Sequence, residues 1–214
     1  MGVFYDSVRE RFLRYARIDT QSASGAAETP STSKQFDLAR VLRDELIAIG
    51  VSDVWLDEEH CVVYGVIPSN TEGGMPIGYV AHMDTATEAP GGPVIPQIIE
   101  NYDGNDILLN KEKDIWMRRA DFPKLGLYVG EDLICTDGTT LLGGDDKASI
   151  ASIMTMAEFY TSNPEVGHGT IALAFTPDEE VGGLAKDLDL NRFASGIAYT
   201  LDGDHLGYYE YETF

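Results

Sequence analysis

His82 and Asp84 stand two residues apart where the apolar run GYVAHMD ends. Similar endings recur along the chain. Asp145 and Asp146 follow a pair of glycines in GGDD, just ahead of a helical pattern. Asp178, Glu179 and Glu180 close AFTPDEE, and Asp202 and Asp204 close AYTLDGD. In open α/β sheets ligands bind beyond the carboxyl ends of the strands. If these strands are parallel neighbours, their ends bring one imidazole and several carboxylates to one edge. Carboxylates crowded together without a counter-charge repel and resist ionising, and a cation at the centre removes that cost. The set contains no thiolate. Mg²⁺ or Ca²⁺ prefers oxygen alone, whereas imidazole with carboxylate suits Zn²⁺, with Mn²⁺ or Co²⁺ as the other candidates.

The spacing suggests a division of labour. Residues i and i+2 of an extended chain face the same side, so Asp84 can reach the imidazole of His82 and fix its tautomer, as carboxylates behind metal-bound histidines do. Neighbours in a strand face opposite sides, so Glu179 and Glu180 can serve one cavity only from a turn. There one glutamate can hold a metal and the other can take a proton from activated water. Taken singly, HMD and LDGD also suit surface turns, and DD or DEE also suits a helix start, where acids oppose the dipole. The four together, each ending an apolar strand, point to a metal centre.

The elements that must position these residues follow from periodicity. Phe4, Val8, Phe12, Tyr15 and Ile18 predict an amphipathic helix over 4–18, followed by a polar loop over 19–32. STSKQFDLARVLRDELIAIG predicts a second helix, capped by Ser31, Thr32 or Ser33 and closed by Gly50. VSDVWLDEEHCVVYGVIP predicts two strands around an acidic turn, and IGYVAH a short buried strand. Residues 85–132 are rich in Gly, Pro and Asn, with short strand fragments such as DILLN, and read as a long excursion that is either functional or carries structure that periodicity does not disclose. DLICTDG is a strand and turn, DDKASIASIMTMAEFYTSN a helix, and GTIALAF, GIAYTLDG and LGYYEYETF are strands. Strands alternating with helices predict an α/β fold with a mostly parallel sheet and helices on both faces.

Composition sets the outer bounds. Of 214 residues 43% are hydrophobic, enough for a sizeable core. Acidic residues number 36 against 15 basic ones, a formal net charge of −21, which argues against binding nucleic acid through phosphates and against anionic membranes. Cys61 and Cys135 sit in apolar runs outside any ligand spacing and read as buried thiols of a reducing compartment. The N-terminus lacks the apolar core of a signal peptide, and no apolar run approaches the ~18–20 residues of a membrane span. A soluble cytoplasmic protein is expected.

HMD, TDGTTLLGGDDKASIA, FTPDEEVG and AYTLDG resemble the M20 family of di-zinc metallopeptidases. The segment IPQIIENYDGNDI is similar to its tripeptide-aminopeptidase branch, and the likeness runs from RFLRYARIDTQS to YTLDGDHLGYYEYETF. Gly144 and Ser149 depart from that branch, where Ala and Gly are commoner. The resemblance implies a metallo-aminopeptidase that releases the N-terminal residue of short peptides, tripeptides above all, using two zinc ions per intact site, with Mn²⁺ or Co²⁺ as substitutes. It implies that His82 and Asp202 bind one zinc, that Glu180 binds the other and that Asp145 bridges them. Asp84 would orient His82, Glu179 would be the general base, and Asp146 would support the site through hydrogen bonds. Asp178 or Asp204 could receive the substrate's α-amine.

Members of this family are longer than this chain. They insert a lid and dimerisation domain, then return to the catalytic domain with a second histidine ligand. By that resemblance residues 1–214 are the N-terminal part of a catalytic domain, without the lid or the C-terminal part, and the second-zinc histidine is expected beyond residue 214. Such a fragment alone would be inactive, and any homodimer belongs to the full-length protein. Neither His60 nor His168 has the context of that histidine; His205, near Asp202, is a substitute candidate. The alternatives are a related M20 amidohydrolase that removes an acyl group, or a non-catalytic acidic metal-binding domain. IPQIIENYDGNDI argues against the first, and His82 with the glutamate pair against the second.

Overall fold

The computed structural model describes residues 4–183 and 187–202. Its elements in chain order are helices α1 (Tyr5–Ala16), α2 (Gln35–Ala48) and α3 (Gly144–Ser162), and strands β1 (Ser52–Asp57), β2 (Val62–Ile67), β3 (Ile77–His82), β4 (Gln97–Ile99), β5 (Ile107–Asn110), β6 (Ile115–Met117), β7 (Leu133–Cys135), β8 (Ile171–Thr176) and β9 (Ala198–Thr200). The main sheet has the order β1-β2-β8-β3-β9. The strand expected over LGYYEYETF lies outside the described residues.

The chain is α/β, as expected, but the sheet is mixed and not mostly parallel. β2 runs antiparallel to both β1 and β8, while β3 runs parallel to both β8 and β9. The cause is the short acidic turn after β1, where Asp57 accepts the N–H groups of Glu59 and His60 and reverses the chain into a hairpin. A two-stranded hairpin is antiparallel by construction, and β8 then inserts between β2 and β3.

The helices also depart from the expectation of two covered faces. Alternate residues of β8 point to opposite sides. Leu173 and Phe175 join Val63 and Ala81 in one cluster, which also takes in Phe12 and Tyr15 of α1, Leu38 and Leu42 of α2, and Ile150 and Met154 of α3. Ala172 and Ala174 join Val62, Tyr64 and Val80 on the other face, where Phe193 supplies the cover. Among the described residues, all three α-helices therefore pack on one face. A Cβ on Gly78 would come within 2.3 Å of the Phe193 ring, so that position has to be glycine for the ring to sit flat.

An ion cluster around the buried Arg11 joins the helices. The Arg11 guanidinium reaches Glu45 of α2 at 2.7 Å and Glu158 of α3 at 3.0 Å, and Tyr15 donates to Glu45 at 2.8 Å. Gly50, at φ +85°, closes α2 as its type predicts, donating to the Ile47 carbonyl. The start of α2 differs from expectation. Its N-cap is Lys34, with no side-chain cap, because Ser31 is engaged by Asp178 (below).

The excursion over 85–132 carries structure of its own: the fragment DILLN is strand β5, as expected, while β4 and β6 are too short for periodicity to reveal. β5 and β6 form a small hairpin, and β4 pairs with β7. Among the described residues no helix is long and apolar enough to cross a membrane.

Leu173 lies on the central strand and is fully buried. Leu173→Ala is expected to lower stability by about 2–5 kcal/mol, the usual cost of a cavity in a packed core. Urea denaturation followed by circular dichroism measures it; an unchanged midpoint would contradict this account of the core.

Candidate metal centre

Strand register sets the site. β3 and β8 are parallel with His82 opposite Thr176, so His82 and the turn that begins at Pro177 leave the sheet at one edge. β9 is parallel to β3 with Thr200 opposite Val80, and the Leu201 N–H donates to the Val80 carbonyl at 2.9 Å. Asp202 thereby comes level with His82. The start of α3 completes the edge. Gly143 is left-handed at φ +74°, and Asp145 and Asp146 depart from helical geometry before the regular helix begins.

The result is one imidazole facing carboxylates. His82, Asp145 and Asp202 offer ligand atoms that all lie within 4.8 Å of one another. Nε2 of His82 is 2.8 Å from Asp145 Oδ1 and 4.0 Å from Glu179 Oε2. The imidazole is buried, while the side chains of Asp145 and Glu179 remain 66% and 40% exposed. Donors are thus fixed on the inner side and reachable from the outer side. Glu180 lies in the same field. Its carboxyl is pushed up by burial first and then by the charges of Asp145, Asp84 and Glu179.

Three acids of the region are buried, and each receives main-chain N–H groups. Asp84 accepts from the N–H of Glu179 at 2.9 Å and of Glu180 at 3.2 Å. Its Oδ1 is 3.3 Å from His82 Nδ1, and its own carbonyl is 3.1 Å from that nitrogen. Asp146 accepts the N–H of His82 at 3.2 Å. Burial raises the Asp146 carboxyl to about 7, against the opposing effects of Ser149 and His82.

Asp178 is the third, and it corrects a sequence expectation. The carboxylate suggested for a substrate amine is directed into the protein, where it accepts from the Ser31 N–H and hydroxyl and from Gln35 Nε2, at 2.5–2.6 Å. It ties the glutamate turn to the start of α2. Asp204 and His205 lie outside the described residues. His60 pairs with Asp57, and His168 packs on Tyr160.

Other supporting contacts have no signature in the sequence. The Thr20 hydroxyl donates to the Met83 carbonyl, and Lys147 Nζ to the Ile18 carbonyl, each at 2.7 Å. Side-chain to carbonyl bonds between distant segments leave no periodicity to read.

No protein-family model matches the chain. Among curated proteins it is similar to peptidase T of Desulfitobacterium hafniense, 53% identical over 209 residues, covering 97% of this chain and 50% of that protein. It is likewise similar to peptidase T of Geobacillus kaustophilus, 51% identical over 206 residues, covering 96% and 50%. The chain spans about half the length of the curated relatives it matches. Among solved structures, the aminopeptidase PepT from Bacillus cereus superposes with a TM-score of 0.65 at 25% identity, over 94% of this chain and 44% of that one. An M20 family metallo-carboxypeptidase from Sulfolobus solfataricus shares the fold, with a TM-score of 0.53 at 15% identity over 91% and 37%.

The electrostatics make a pH prediction. Burial disfavours a charged His82, but the hydrogen bond to Asp84, the charges of Asp146 and Asp84 and the bond to Asp145 outweigh it and raise the imidazole to about 10. A divalent cation that takes Nε2 must displace that proton. Uptake should therefore release a proton and tighten as pH rises from 6 to 8, by up to about tenfold per pH unit. Zinc titration calorimetry in buffers of different ionisation heat reads both effects; a pH-independent affinity without proton release would contradict the assignment of His82.

Proposed function

We propose that the chain belongs to the peptidase T family, to which it is similar over about half the length of those relatives, and that it carries the metal-binding part of a zinc aminopeptidase acting on short peptides. The observation that carries this reading is the convergence of His82, Asp145 and Asp202, with Glu179 at the open side of the same imidazole. One imidazole with carboxylates and no thiolate is a donor set that fits zinc, with manganese or cobalt as substitutes.

We assign His82 and Asp202 to one zinc, Glu180 to a second, and Asp145 to both. Bound zinc supplies a Lewis acid for the scissile carbonyl and lowers the pKa of water. The chain's own residues do the rest. Asp84 holds the Nδ1 side of His82, so the ring presents Nε2 outward. Glu179, its N–H fixed by Asp84 and its carboxylate exposed, is the group that takes a proton from the attacking water and passes it to the leaving amine. Asp84 is thus a partner of the reaction through His82 and through the glutamate turn. The buried free thiols Cys61 and Cys135 fit a reducing compartment, and we place the protein in the cytoplasm.

The glutamate pair tests this reading in the protein that carries this chain. Glu179→Gln is expected to keep its metal but lose a factor of roughly 10²–10⁴ in kcat on a tripeptide, the range for a lost general base. Glu180→Gln should instead lower metal occupancy. Metal analysis beside the hydrolysis assay decides; loss of metal in Glu179→Gln with full metal in Glu180→Gln would reverse the roles.

A further inference from the structure

Where β3 ends at His82, the chain leaves the sheet and its next carbonyls lose their ladder partners. Buried carbonyls need donors from elsewhere, and one short strap, residues 18–22, supplies them. Thr20 Oγ1 donates to Met83 O at 2.7 Å. The N–H and the hydroxyl of Ser22 both donate to Thr85 O, at 3.2 and 3.1 Å. Gln21 Nε2 donates to Ala86 O at 2.8 Å and to Ala89 O at 2.6 Å. The strap in turn is anchored at Ile18, whose carbonyl accepts from Lys147 Nζ, two residues beyond Asp145. One segment therefore grips both stretches of chain that bring His82 and Asp145 within 2.8 Å.

Only one of these bonds falls between His82 and Asp84. The main chain of Met83 is held at both of its peptide groups, its N–H by the Thr176 carbonyl at 2.8 Å and its carbonyl, which leads into Asp84, by Thr20. Thr20 is fully buried, and its hydroxyl bonds the carbonyl between His82 and Asp84 and neither of those side chains. Without its hydroxyl the residue 83 carbonyl is left without that donor, and a turn of this segment moves the carbonyl and carboxylate of Asp84 away from Nδ1 of His82.

We propose that Thr20 is a positioning residue of the metal centre, its hydroxyl holding the Met83 carbonyl so that Asp84 stays against His82. This rests on the metal reading given above. The test is titration of the 214-residue chain with cobalt(II) chloride, read by calorimetry and by the visible spectrum of the bound ion. Thr20→Val removes the hydroxyl at nearly constant shape, and Thr20→Ser keeps it. Thr20→Val should bind cobalt about tenfold more weakly, the lower end of the effect of a lost group behind the ligands because Thr20 acts through Met83 and Asp84, with altered visible bands. Thr20→Ser should keep the parent's spectrum and bind within about threefold of it, far short of the loss expected for a missing supporting bond.

A Thr20→Val chain with the parent's affinity and spectrum overturns the proposal, as does a Thr20→Ser chain that fails like Thr20→Val. Should Thr20→Val not fold, Lys147→Met, which frees the other end of the strap, decides in its place. An altered cobalt spectrum there supports the proposal and an unchanged one overturns it. A parent chain that takes up no cobalt overturns the metal reading, and this proposal with it.

Discussion

The site depends on one buried carboxylate. Asp84 is fully buried and joins two places that the sequence keeps far apart: the imidazole of His82, beside it in the chain, and the main-chain N–H groups of Glu179 and Glu180. A carboxyl group out of water needs hydrogen-bond partners, and this one takes two of them from the turn after β8 where it closes over the end of β3. The requirement works in both directions. The turn gains acceptors for N–H groups that no helix or strand would satisfy, and the histidine gains a fixed ring.

That coupling explains why a −21 chain tolerates so many acids at one edge. The described cation of the cluster is His82, raised to about 10 by its carboxylate neighbours despite burial. Lys147 stands just behind, lowered to about 8 by burial although Asp19 and Asp84 act to raise it. A divalent ion binding at Nε2 replaces one proton with two charges, so the same crowding that strains the acids favours metal uptake.

The parts of this arrangement differ in how far the sequence disclosed them. GYVAHMD and AFTPDEE are legible because an apolar strand run and its polar ending lie in one short stretch, and parallel pairing then carries His82 and the glutamates to one edge. The β1–β2 hairpin is legible too, yet its consequence for the sheet is not. Which strand β2 pairs with on its other side is decided by burial across the whole face, and it is β8, antiparallel. The caps expected at Ser31–Ser33 failed because their hydroxyls serve other segments. Ser31 Oγ accepts the Ala23 N–H and donates to Asp178, and Thr32 donates to the Gln21 carbonyl, so neither is turned to the helix N–H groups that a cap must satisfy. In the 85–132 excursion DILLN was legible as a strand fragment and is β5, but its partner β6 and the strand β4 stayed hidden because strands of three residues carry no period.

The acids themselves sort by a rule that residue type cannot express. Asp84, Asp146 and Asp178 are buried, and each accepts main-chain N–H groups. Asp145 and Glu179 are turned outward around His82. The two groups alternate along the sequence as 145 beside 146 and 178 beside 179. Adjacent carboxylates are therefore not duplicates. In each pair one member ties its turn to another segment, Asp146 to the end of β3 and Asp178 to the start of α2, and the other member faces the open side. A single acid at either place would have to choose between shaping the turn and doing chemistry from it.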